Sequence, residues 1–397
     1  MPTVVISPCN VAAFPEGGGH FWVYLQYILG LRQLGCEVYW LEGFRSKGRK
    51  QQEAAALAVF HQRMKEHQLK SIVYPFIGEQ PGTDAPREYI GMSTDEVEAL
   101  FEKADLLLNF HYAISPALLA RFRRTALVDI DPGLLQFWMS RGQLYVPPHD
   151  CYFTISENVA GGRGKIPDTG RQWIPIRPAV SLEHWPAVFS PSSEAFTTVS
   201  IWDSSDWVVD AEETYENTKR VAYLQFADLP NLTSQPLELA LFLRTERDWT
   251  ELRDLEQRGW CVRHSREVAA TPQAYQQYIQ ASRGEFSCAK PSYIRFQTGW
   301  ISDRTVCYLA SGKPAVVQDT GPISFLPNGE GLFRFKTARE AAEAFETINA
   351  DYERHCRAAR RIAEGFFNAK GVVGTILNEA LSINVRQKGH NPVAVLP

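Results

Sequence analysis

The sequence has little of what marks a nucleic-acid-binding, zinc-binding or disulfide-stabilised protein. Its formal net charge is −4 over 397 residues, so the chain lacks the overall positive charge that would favour a nucleic-acid partner. The seven cysteines are odd in number and contain no Cys-x-x-Cys pair, which argues against a disulfide framework and a zinc site. We expect them to be small buried residues in a reducing compartment.

Apolar runs of transmembrane length are also lacking. The most apolar predicted helix, Phe21 to Leu31, is too short to span a bilayer, and no charged-then-apolar leader precedes the first predicted strand. We therefore expect a cytoplasmic protein without a transmembrane segment. The run from Arg45 to Lys50 is locally basic; a solvated loop is the favoured interpretation, and contact with an anionic acceptor or a membrane surface is the alternative.

Two successive series of alternating strand and helix patterns run along the chain. The first is predicted to form a domain over residues 1–185 and the second a domain over residues 196–366, joined by a linker rich in proline and serine. Residues 367–397 are predicted to be a C-terminal segment that packs back on the N-terminal domain. The expected fold is α/β, with two Rossmann-like domains facing a cleft.

The first domain opens with a predicted strand, a glycine-rich loop and a helix. Successive glycines let the backbone approach a ligand closely, and the helix N-terminus behind them favours negative charge. The loop consists of Gly17, Gly18 and Gly19 and ends at His20. Because a helix N-terminus lowers the pKa of an imidazole, His20 is the first candidate for a general base; a loop histidine without a role is the alternative.

The second domain contains the most informative stretch, residues 299–321. It is predicted to form a polar loop, an apolar helix ended by glycine, a buried strand and a second glycine loop. Both loops are expected at the edge of the sheet where α/β proteins bind ligands.

The layout resembles that of the GT-B glycosyltransferases. The loop from Gly17 to His20 looks like the glycine-rich loop of several inverting members. The segments 302–314, 319–321 and 329–332 are similar to the donor-binding region of retaining members and of spore-maturation-type glycosyltransferase domains. The resemblance implies an acceptor on the N-terminal domain and a nucleotide-sugar donor on the C-terminal one. Retaining members carry two glutamates eight positions apart, where this chain has Gly299 and Cys307.

Candidate donor-binding residues cluster in the second domain. Lys290, with its single charged ammonium group, and Arg304, whose planar guanidinium can donate two parallel hydrogen bonds, are predicted to neutralise a diphosphate. The alternative for either residue is a side chain that is merely solvated at the surface. Asp303 takes the place of the carboxylate that holds ribose in the resembling family. Backbone amides at the second glycine loop are expected to add donors. The complete predicted set is Lys290, Ser302, Asp303, Arg304, Thr320 and Gly321.

Acidic and histidine residues follow strands of the first domain. Asp131, in an Asp-x-Asp pattern, is predicted to contact an acceptor hydroxyl or to accept its proton, assisting or replacing His20. Turn chemistry also explains the Asp-Pro-Gly sequence, and a metal site is not expected. His111 is a further candidate for the acceptor side, and Trp202 with Asp203 is expected to face the cleft.

These observations predict a metal-independent glycosyltransferase without a cofactor, which moves a sugar from a nucleotide-sugar such as a UDP-sugar to a small-molecule or glycan acceptor. Two alternatives stay open: a sugar-nucleotide 2-epimerase, and a non-catalytic binding protein with the same fold. An NAD-dependent enzyme is disfavoured because the first glycine loop lacks the G-x-G-x-x-G spacing, although Glu42 ends a predicted strand as a ribose-binding acid would.

Overall fold

The structure is a computed structural model that describes residues 1–78, 82, 84, 86, 88–204, 207–209 and 213–384. Each half of the chain forms a parallel β-sheet. The strands of the N-terminal sheet are β1 (Thr3–Ser7), β2 (Glu37–Arg45), β3 (Lys70–Phe76), β4 (Leu106–Asn109), β5 (Thr125–Asp129), β6 (Cys151–Thr154) and β7 (Trp173–Pro175). Their order across the sheet is β3-β2-β1-β4-β5-β6-β7.

The C-terminal sheet repeats this order of strands. Its strands are β8 (Phe196–Ile201), β11 (Leu237–Phe242), β12 (Cys261–His264), β13 (Gly284–Ser287), β14 (Ala315–Gln318) and β15 (Leu332–Phe335), and they lie in the order β12-β11-β8-β13-β14-β15. Two further strands, β9 (Trp207–Val209) and β10 (Thr214–Glu216), form an antiparallel hairpin. In both sheets the strand order reverses beside the first strand, and α/β proteins bind ligands beyond the carboxyl ends at that point.

Helices connect the strands of both halves. In the N-terminal half they are α1 (Gly18–Gln33), α2 (Lys50–Glu66), α3 (Thr94–Lys103), α4 (Pro116–Leu119), α5 (Leu134–Ser140) and α6 (Glu157–Ala160). In the C-terminal half they are α7 (Lys219–Leu224), α8 (Glu246–Gln257), α9 (Ser265–Ala269), α10 (Pro272–Ala281), α11 (Pro291–Arg295), α12 (Asp303–Ala310), α13 (Ala338–Ala350), α14 (Tyr352–Phe366) and α15 (Ala369–Ser382). Leu229–Leu232 forms a turn of 3₁₀ helix.

The central strands are buried along their whole length. All five residues of β1 and all four of β4 are buried, as expected for strands covered by helices on both faces. Ser7 pairs with Asn109 in the β1–β4 register, so the carboxyl ends of these strands lie side by side. Phe21, Trp22 and Tyr24 lie at helical spacing, which predicts a stripe that packs in the core, and their burial in the core beneath α1 confirms this.

The sequence of residues 211–224 predicts one helix, but this prediction is wrong for part of the range. Residues Thr214–Glu216 form β10, and the helix that follows, α7, begins at Lys219. Residues 210–212 lie outside the described residues. The β-branched and aromatic residues of Trp207–Val209 favour a strand, and they pair with β10.

The last described helix lies against the first. A Cβ atom on Gly30 of α1 would lie 2.8 Å from the carbonyl of Ala369, so the absence of a side chain lets α1 and α15 approach closely. The chain therefore returns to the N-terminal half after the second sheet. The part of the predicted C-terminal segment from residue 385 onward lies outside the described residues.

Two expectations about composition have different outcomes. All seven cysteines are free, but Cys261 is exposed and Cys9 is half-buried, so the prediction that all are buried is wrong for these two. Among the described residues, no helix has the length and apolar character needed to cross a membrane.

Candidate functional site

The carboxyl ends of the two sheets meet at Asp131, two residues beyond β5. The hydroxyl of Tyr293 on α11 donates a hydrogen bond of 2.6 Å to Oδ1 of Asp131. Nζ of Lys290, the residue that precedes α11, lies 3.7 Å from Oδ2 of the same carboxylate. A predicted acceptor residue and a predicted donor residue therefore lie together at the boundary between the domains.

The glycine loop approaches the C-terminal domain. A Cβ atom on Gly18 would lie 2.2 Å from the carbonyl oxygen of Thr271, and one on Gly19 would lie 2.6 Å from the ring of Tyr275. Gly17 precedes α1, and Gly18 and Gly19 lie in the first turn of that helix. The nearest atoms that a side chain at Gly18 or Gly19 would meet belong to α10 and its N-cap, so these glycines allow α1 to pack closely on α10; the approach of this loop to a ligand stays a prediction.

His20 lies in the first turn of α1 and is half-buried. Its Nε2 atom lies 2.8 Å from the carbonyl oxygen of Cys9. A carbonyl only accepts hydrogen bonds, so Nε2 carries the proton and Nδ1 keeps a free lone pair. Burial lowers the pKa of His20, whereas the hydrogen bond to Cys9 and the charge of Asp303 act in the opposite direction. The neutral imidazole predicted from the helix N-terminus is therefore favoured mainly by burial.

The first turn of α12 holds three predicted residues in different surroundings. The hydroxyl of Ser302 accepts a hydrogen bond of 3.2 Å from the backbone N–H of Arg304 and so caps the helix. Asp303 is half-buried, and burial raises the pKa of its carboxyl, although the positive charges of Arg304 and Lys219 oppose the rise. The charge of Asp303 also raises the pKa of His20, so these two residues interact electrostatically across the domain boundary.

Arg304 is directed into the C-terminal sheet. Its Nε donates to Glu285 on β13 at 2.7 Å, and Nη1 donates to the carbonyl of Val199 on β8 at 2.9 Å. Its Nη2 is buried and has no hydrogen-bond partner among the described residues. The predicted fork is therefore partly used inside the domain, and the diphosphate role of Arg304 depends on Nη2 alone.

The second glycine loop uses its donors within the protein. The hydroxyl of Thr320 donates to the carbonyl of Trp300 at 2.8 Å, and the N–H of Gly321 donates to Oδ1 of Asp319 at 2.7 Å. Gly321 has a φ of +113°, which favours glycine, and a Cβ atom there would lie 2.9 Å from Gln297. These contacts shape the loop, and the expected donation of the Gly321 amide to a ligand would require replacement of Asp319.

Lys219 is a candidate that the sequence analysis missed. It is the first residue of α7; its Nζ donates to the carbonyl of Cys288 at 2.9 Å and lies 4.9 Å from the centre of the Trp300 ring. Burial lowers the pKa of Lys219 to about 7, and the charges of Arg304 and Lys290 act in the same direction. Trp300 in turn stacks on Tyr293 at 4.2 Å with an interplanar angle of 7°. The sequence did contain a signal for this residue, because Asn217 and Thr218 are typical of a helix N-terminus and Lys219 follows them directly. The helix predicted over residues 211–224 placed Lys219 inside a helix and hid this start.

A small cavity lies beside this cluster. It has a volume of about 10 Å³ and is enclosed by the ends of β13 and β14 and the start of α12, with Cys288, Trp300 and Ser302 in its wall. A larger groove of about 900 Å³ lies elsewhere, beside β7 and α15. The groove shares no lining residue with the predicted site. The charged and aromatic side chains described above lie together at the domain boundary, and the candidate site is assigned there.

The Asp-x-Asp pattern of the N-terminal domain divides into two roles. Asp129 is fully buried, accepts hydrogen bonds from Tyr112, Gln136 and Thr154, and has its pKa raised to about 6 by burial. Asp131, by contrast, contacts the C-terminal domain. In the described ranges, no group of three or more histidine, cysteine, aspartate or glutamate residues is placed to hold a metal ion.

His111 lies two residues beyond the end of β4 and is buried. Its backbone N–H donates to Oδ1 of Asn109, and its Nδ1 has no hydrogen-bond partner in the described part of the chain. Burial lowers the pKa of His111 to about 4, so the imidazole is neutral at physiological pH. A neutral imidazole here suits contact with an uncharged hydroxyl group.

Two predictions about the edges of strands are wrong. Glu42 lies within β2, is fully buried, and accepts hydrogen bonds from Trp40 Nε1 at 2.8 Å and from the backbone of Ala12 at 2.9 Å, so it does not end its strand as a ribose-binding acid would. Trp202 is also buried and packs on Tyr223 in the core of the C-terminal domain, with its indole N–H bonded to Glu251. Trp260, which alternates with Val262 in the sequence and is therefore expected to be core, is buried.

Solved structures with the same architecture cover nearly the whole chain. HepE from Anabaena, in complex with UDP-glucose, is 13% identical over 96% of this chain and 100% of its own, with a TM-score of 0.60. Sucrose-phosphate synthase from Thermosynechococcus elongatus is 12% identical over 96% and 100%, with a TM-score of 0.57. The chain has the GT-B fold.

A third structure extends the GT-B comparison. A point mutant of TarM from S. aureus, in complex with fondaparinux, α-GlcNAc-glycerol and UDP, is 8% identical over 95% of this chain and 99% of its own, with a TM-score of 0.59. No protein-family model and no curated protein matches the sequence. The GT-B architecture predicted from the order of strands and loops is therefore confirmed by structure.

Proposed function

We propose that this protein is a glycosyltransferase that uses a UDP-sugar donor. The observation that carries the proposal is Lys219, a lysine whose pKa burial lowers to about 7, next to the aromatic ring of Trp300 at the carboxyl edge of the C-terminal sheet of a GT-B fold. An ammonium group is costly to bury without an anionic partner, and a diphosphate would supply that partner. GT-B neighbours crystallised with UDP or UDP-glucose support the choice of nucleotide.

In this proposal the leaving diphosphate contacts Lys219 and Lys290. Nη2 of Arg304 adds a third donor if the diphosphate reaches into the sheet. Asp303 holds a hydroxyl group of the ribose or the sugar. Positive groups placed where charge develops on the leaving group stabilise the transition state directly, so this arrangement requires no metal ion.

His20 is the proposed general base. Its Nδ1 has a free lone pair because Nε2 donates to Cys9, and burial favours the neutral form. Asp131 is a weaker candidate because its two oxygens already face Tyr293 and Lys290. In the proposed step, the acceptor oxygen forms a bond to the anomeric carbon and its proton passes to Nδ1. The bond from that carbon to the diphosphate breaks, and its electron pair leaves on UDP.

Nucleotide binding by the purified protein tests the donor site. A ligand that binds only the native state raises the melting temperature, so UDP, GDP, ADP and dTDP are compared by thermal shift, with NAD as a control. We expect the largest shift with UDP, and we expect Lys219→Met to weaken UDP binding by about 10- to 100-fold because a charge-assisted contact is lost. Lys313→Met is the matched control, since Lys313 is a buried lysine of the same domain outside the site. No shift with any nucleotide, or equal UDP binding by Lys219→Met, contradicts the proposal.

The two alternatives differ in what happens to the donor. A transferase consumes a UDP-sugar rapidly only when an acceptor is present, whereas a 2-epimerase converts the donor alone. A binding protein retains UDP but releases no sugar, and His20→Ala would then leave its cellular function intact. Analysis of the nucleotide products with and without acceptor mixtures distinguishes the three.

Two further parts of the proposal concern conditions and location. We propose that transfer does not depend on a metal ion, so EDTA should leave the rate unchanged. We also propose that the acceptor is a small molecule or a glycan, and that the enzyme acts in the cytoplasm; fractionation of cells that produce the protein checks the location.

A further inference from the structure

The hairpin of β9 and β10 extends from the C-terminal domain to the N-terminal one. In its register, Val208 faces Tyr215. Val208 is buried against Leu134 and Phe137 of α5, and the side chain of Gln143 donates to the carbonyl of Val209 at 2.8 Å. One face of the hairpin is therefore fixed on the N-terminal domain.

The opposite face of the hairpin carries exposed apolar side chains. Trp207 and Val209 alternate with the buried Val208, and each is 51% exposed. Several other tryptophans of the chain, among them Trp40, Trp185 and Trp202, are fully buried. The ring of Trp207 adds nothing to the core, and together with Val209 on the same face of the hairpin it forms an apolar patch that is open to a ligand.

The hairpin is continuous with the candidate site at both of its attachments. Lys219 follows the end of β10 by three residues, and its N-cap Thr218 donates to Glu216 of that strand at 2.6 Å. On the other side, α5 begins three residues after Asp131. The hairpin is therefore linked to the donor side of the site through Lys219 and to the acceptor side through α5.

The sequence of the segment that contains the hairpin is acidic, which limits the kind of ligand it suits. Two described acidic residues are paired: Glu213 with Arg295, and Glu216 with Arg220. The sequence from residue 201 to 216 contains six acidic residues and no lysine or arginine, namely Asp203, Asp206, Asp210, Glu212, Glu213 and Glu216. This excess of negative charge disfavours anionic lipids, nucleic acids and acidic polymers.

An uncharged sugar ring suits the exposed apolar face of this acidic hairpin. The C–H face of a pyranose is apolar and flat enough to lie on an indole, while its hydroxyl groups stay at the rim in water or contact polar side chains such as Thr214. We propose that the outer face of the hairpin, Trp207 with Val209, binds one sugar unit of an uncharged glycan acceptor outside the cleft. This inference rests on the proposed glycosyltransferase function and adds the class of its acceptor.

The test measures glycan binding by the full chain. Wild-type protein, Trp207→Ala, Trp207→Tyr and Trp249→Ala are applied to an array of uncharged and acidic oligosaccharides. Trp249 is the matched control because it is 46% exposed on α8. We expect retention on uncharged glycans, a loss of about tenfold in affinity for Trp207→Ala, partial recovery for Trp207→Tyr and no change for Trp249→Ala.

The best-retained glycan is then used as the acceptor with a UDP-sugar. Trp207→Ala should raise KM for the glycan about tenfold and leave kcat nearly unchanged, since the platform binds remote parts of the acceptor. Unchanged binding by Trp207→Ala, preference for acidic glycans, or no retention at all would overturn the inference. UDP binding by the wild type and by the same variants separates the inference about the glycan from the proposed function. If the wild type does not bind UDP, the proposed function is overturned; if it binds UDP but no glycan, only this inference is overturned.

Discussion

The hydroxyl of Tyr293 lies 2.6 Å from the carboxylate of Asp131, and this hydrogen bond joins the two domains at the point where their sheets meet. Stacking on Trp300 fixes the ring of Tyr293, and Trp300 in turn lies against Lys219. The contact therefore links the N-terminal domain to the proposed donor site through three side chains.

Tyr293→Phe should loosen the domain boundary without disturbing the stacked rings. Loss of a hydrogen bond to a charged group costs about 1–3 kcal/mol, so we expect the melting temperature to fall by roughly 2–5 °C. Tyr145→Phe, at a side chain that is 68% exposed, is the control and should change nothing. A melting temperature unaffected by Tyr293→Phe would show that the contact contributes nothing to stability.

Gly18→Ala should separate α1 from the C-terminal domain. Its Cβ atom would lie 2.2 Å from the carbonyl oxygen of Thr271, a backbone atom that cannot move aside alone. We expect a loss of about 2 kcal/mol or more, measured by denaturant unfolding. Gly371→Ala on α15 is the matched control, because nothing lies within 4 Å of its added Cβ, and it should be neutral or stabilising by up to about 1 kcal/mol. Equal effects of the two changes would contradict the packing described for Gly18.

Much of the fold could be predicted from the sequence because the strands are apolar and bounded by turn residues. Helices α3 and α12 begin and end where their N-caps and glycine or polar ends predict. Ser93 and Glu96, for example, form the capping box that opens α3. Local patterns fix such elements, since their signals lie within a few residues.

The site was less predictable, because its contacts join residues far apart in the chain. Asp131 and Tyr293 are separated by 162 positions, and no local pattern indicates that they meet. The partner of Arg304, Glu285, lies inside a strand where a carboxylate is unexpected. Lys219 was missed because β10 was predicted to be part of a helix, so the start of α7 at Lys219 was not recognised. In each case tertiary packing decides the role of a residue whose local sequence is ordinary.

Lys313→Met should stabilise the protein. The Lys313 side chain is fully buried, its Nζ has no hydrogen-bond partner among the described residues, and burial lowers its pKa to about 8. Because the unfolded chain holds this proton up to the ordinary lysine pKa near 10.4, the lysine destabilises the fold at pH 7 and less so as pH rises. We expect a gain of roughly 1–3 kcal/mol at pH 7 that shrinks towards pH 10. A loss of stability at pH 7 would contradict this.

His20→Ala should slow transfer without weakening UDP binding. Removal of a general base typically lowers kcat by about 10²- to 10⁴-fold. Because burial lowers the pKa of His20, the wild-type rate should be constant near pH 7 and should fall only at a pH below the ordinary range of histidine titration. His61→Ala on α2 is the control. A rate that still falls in the same acidic range in His20→Ala would assign the base to another residue.

The most direct measurement is calorimetric titration of UDP at pH 8 in two buffers of different ionisation enthalpy. Lys219 has a pKa of about 7 and is mostly neutral at this pH, and a bound diphosphate should raise that pKa. We predict that UDP binding takes up close to one proton, that its affinity declines from pH 7 to pH 9, and that Lys219→Met abolishes the uptake while Lys313→Met keeps it. UDP binding with no proton uptake, or with the same uptake in Lys219→Met, would contradict the proposed donor site.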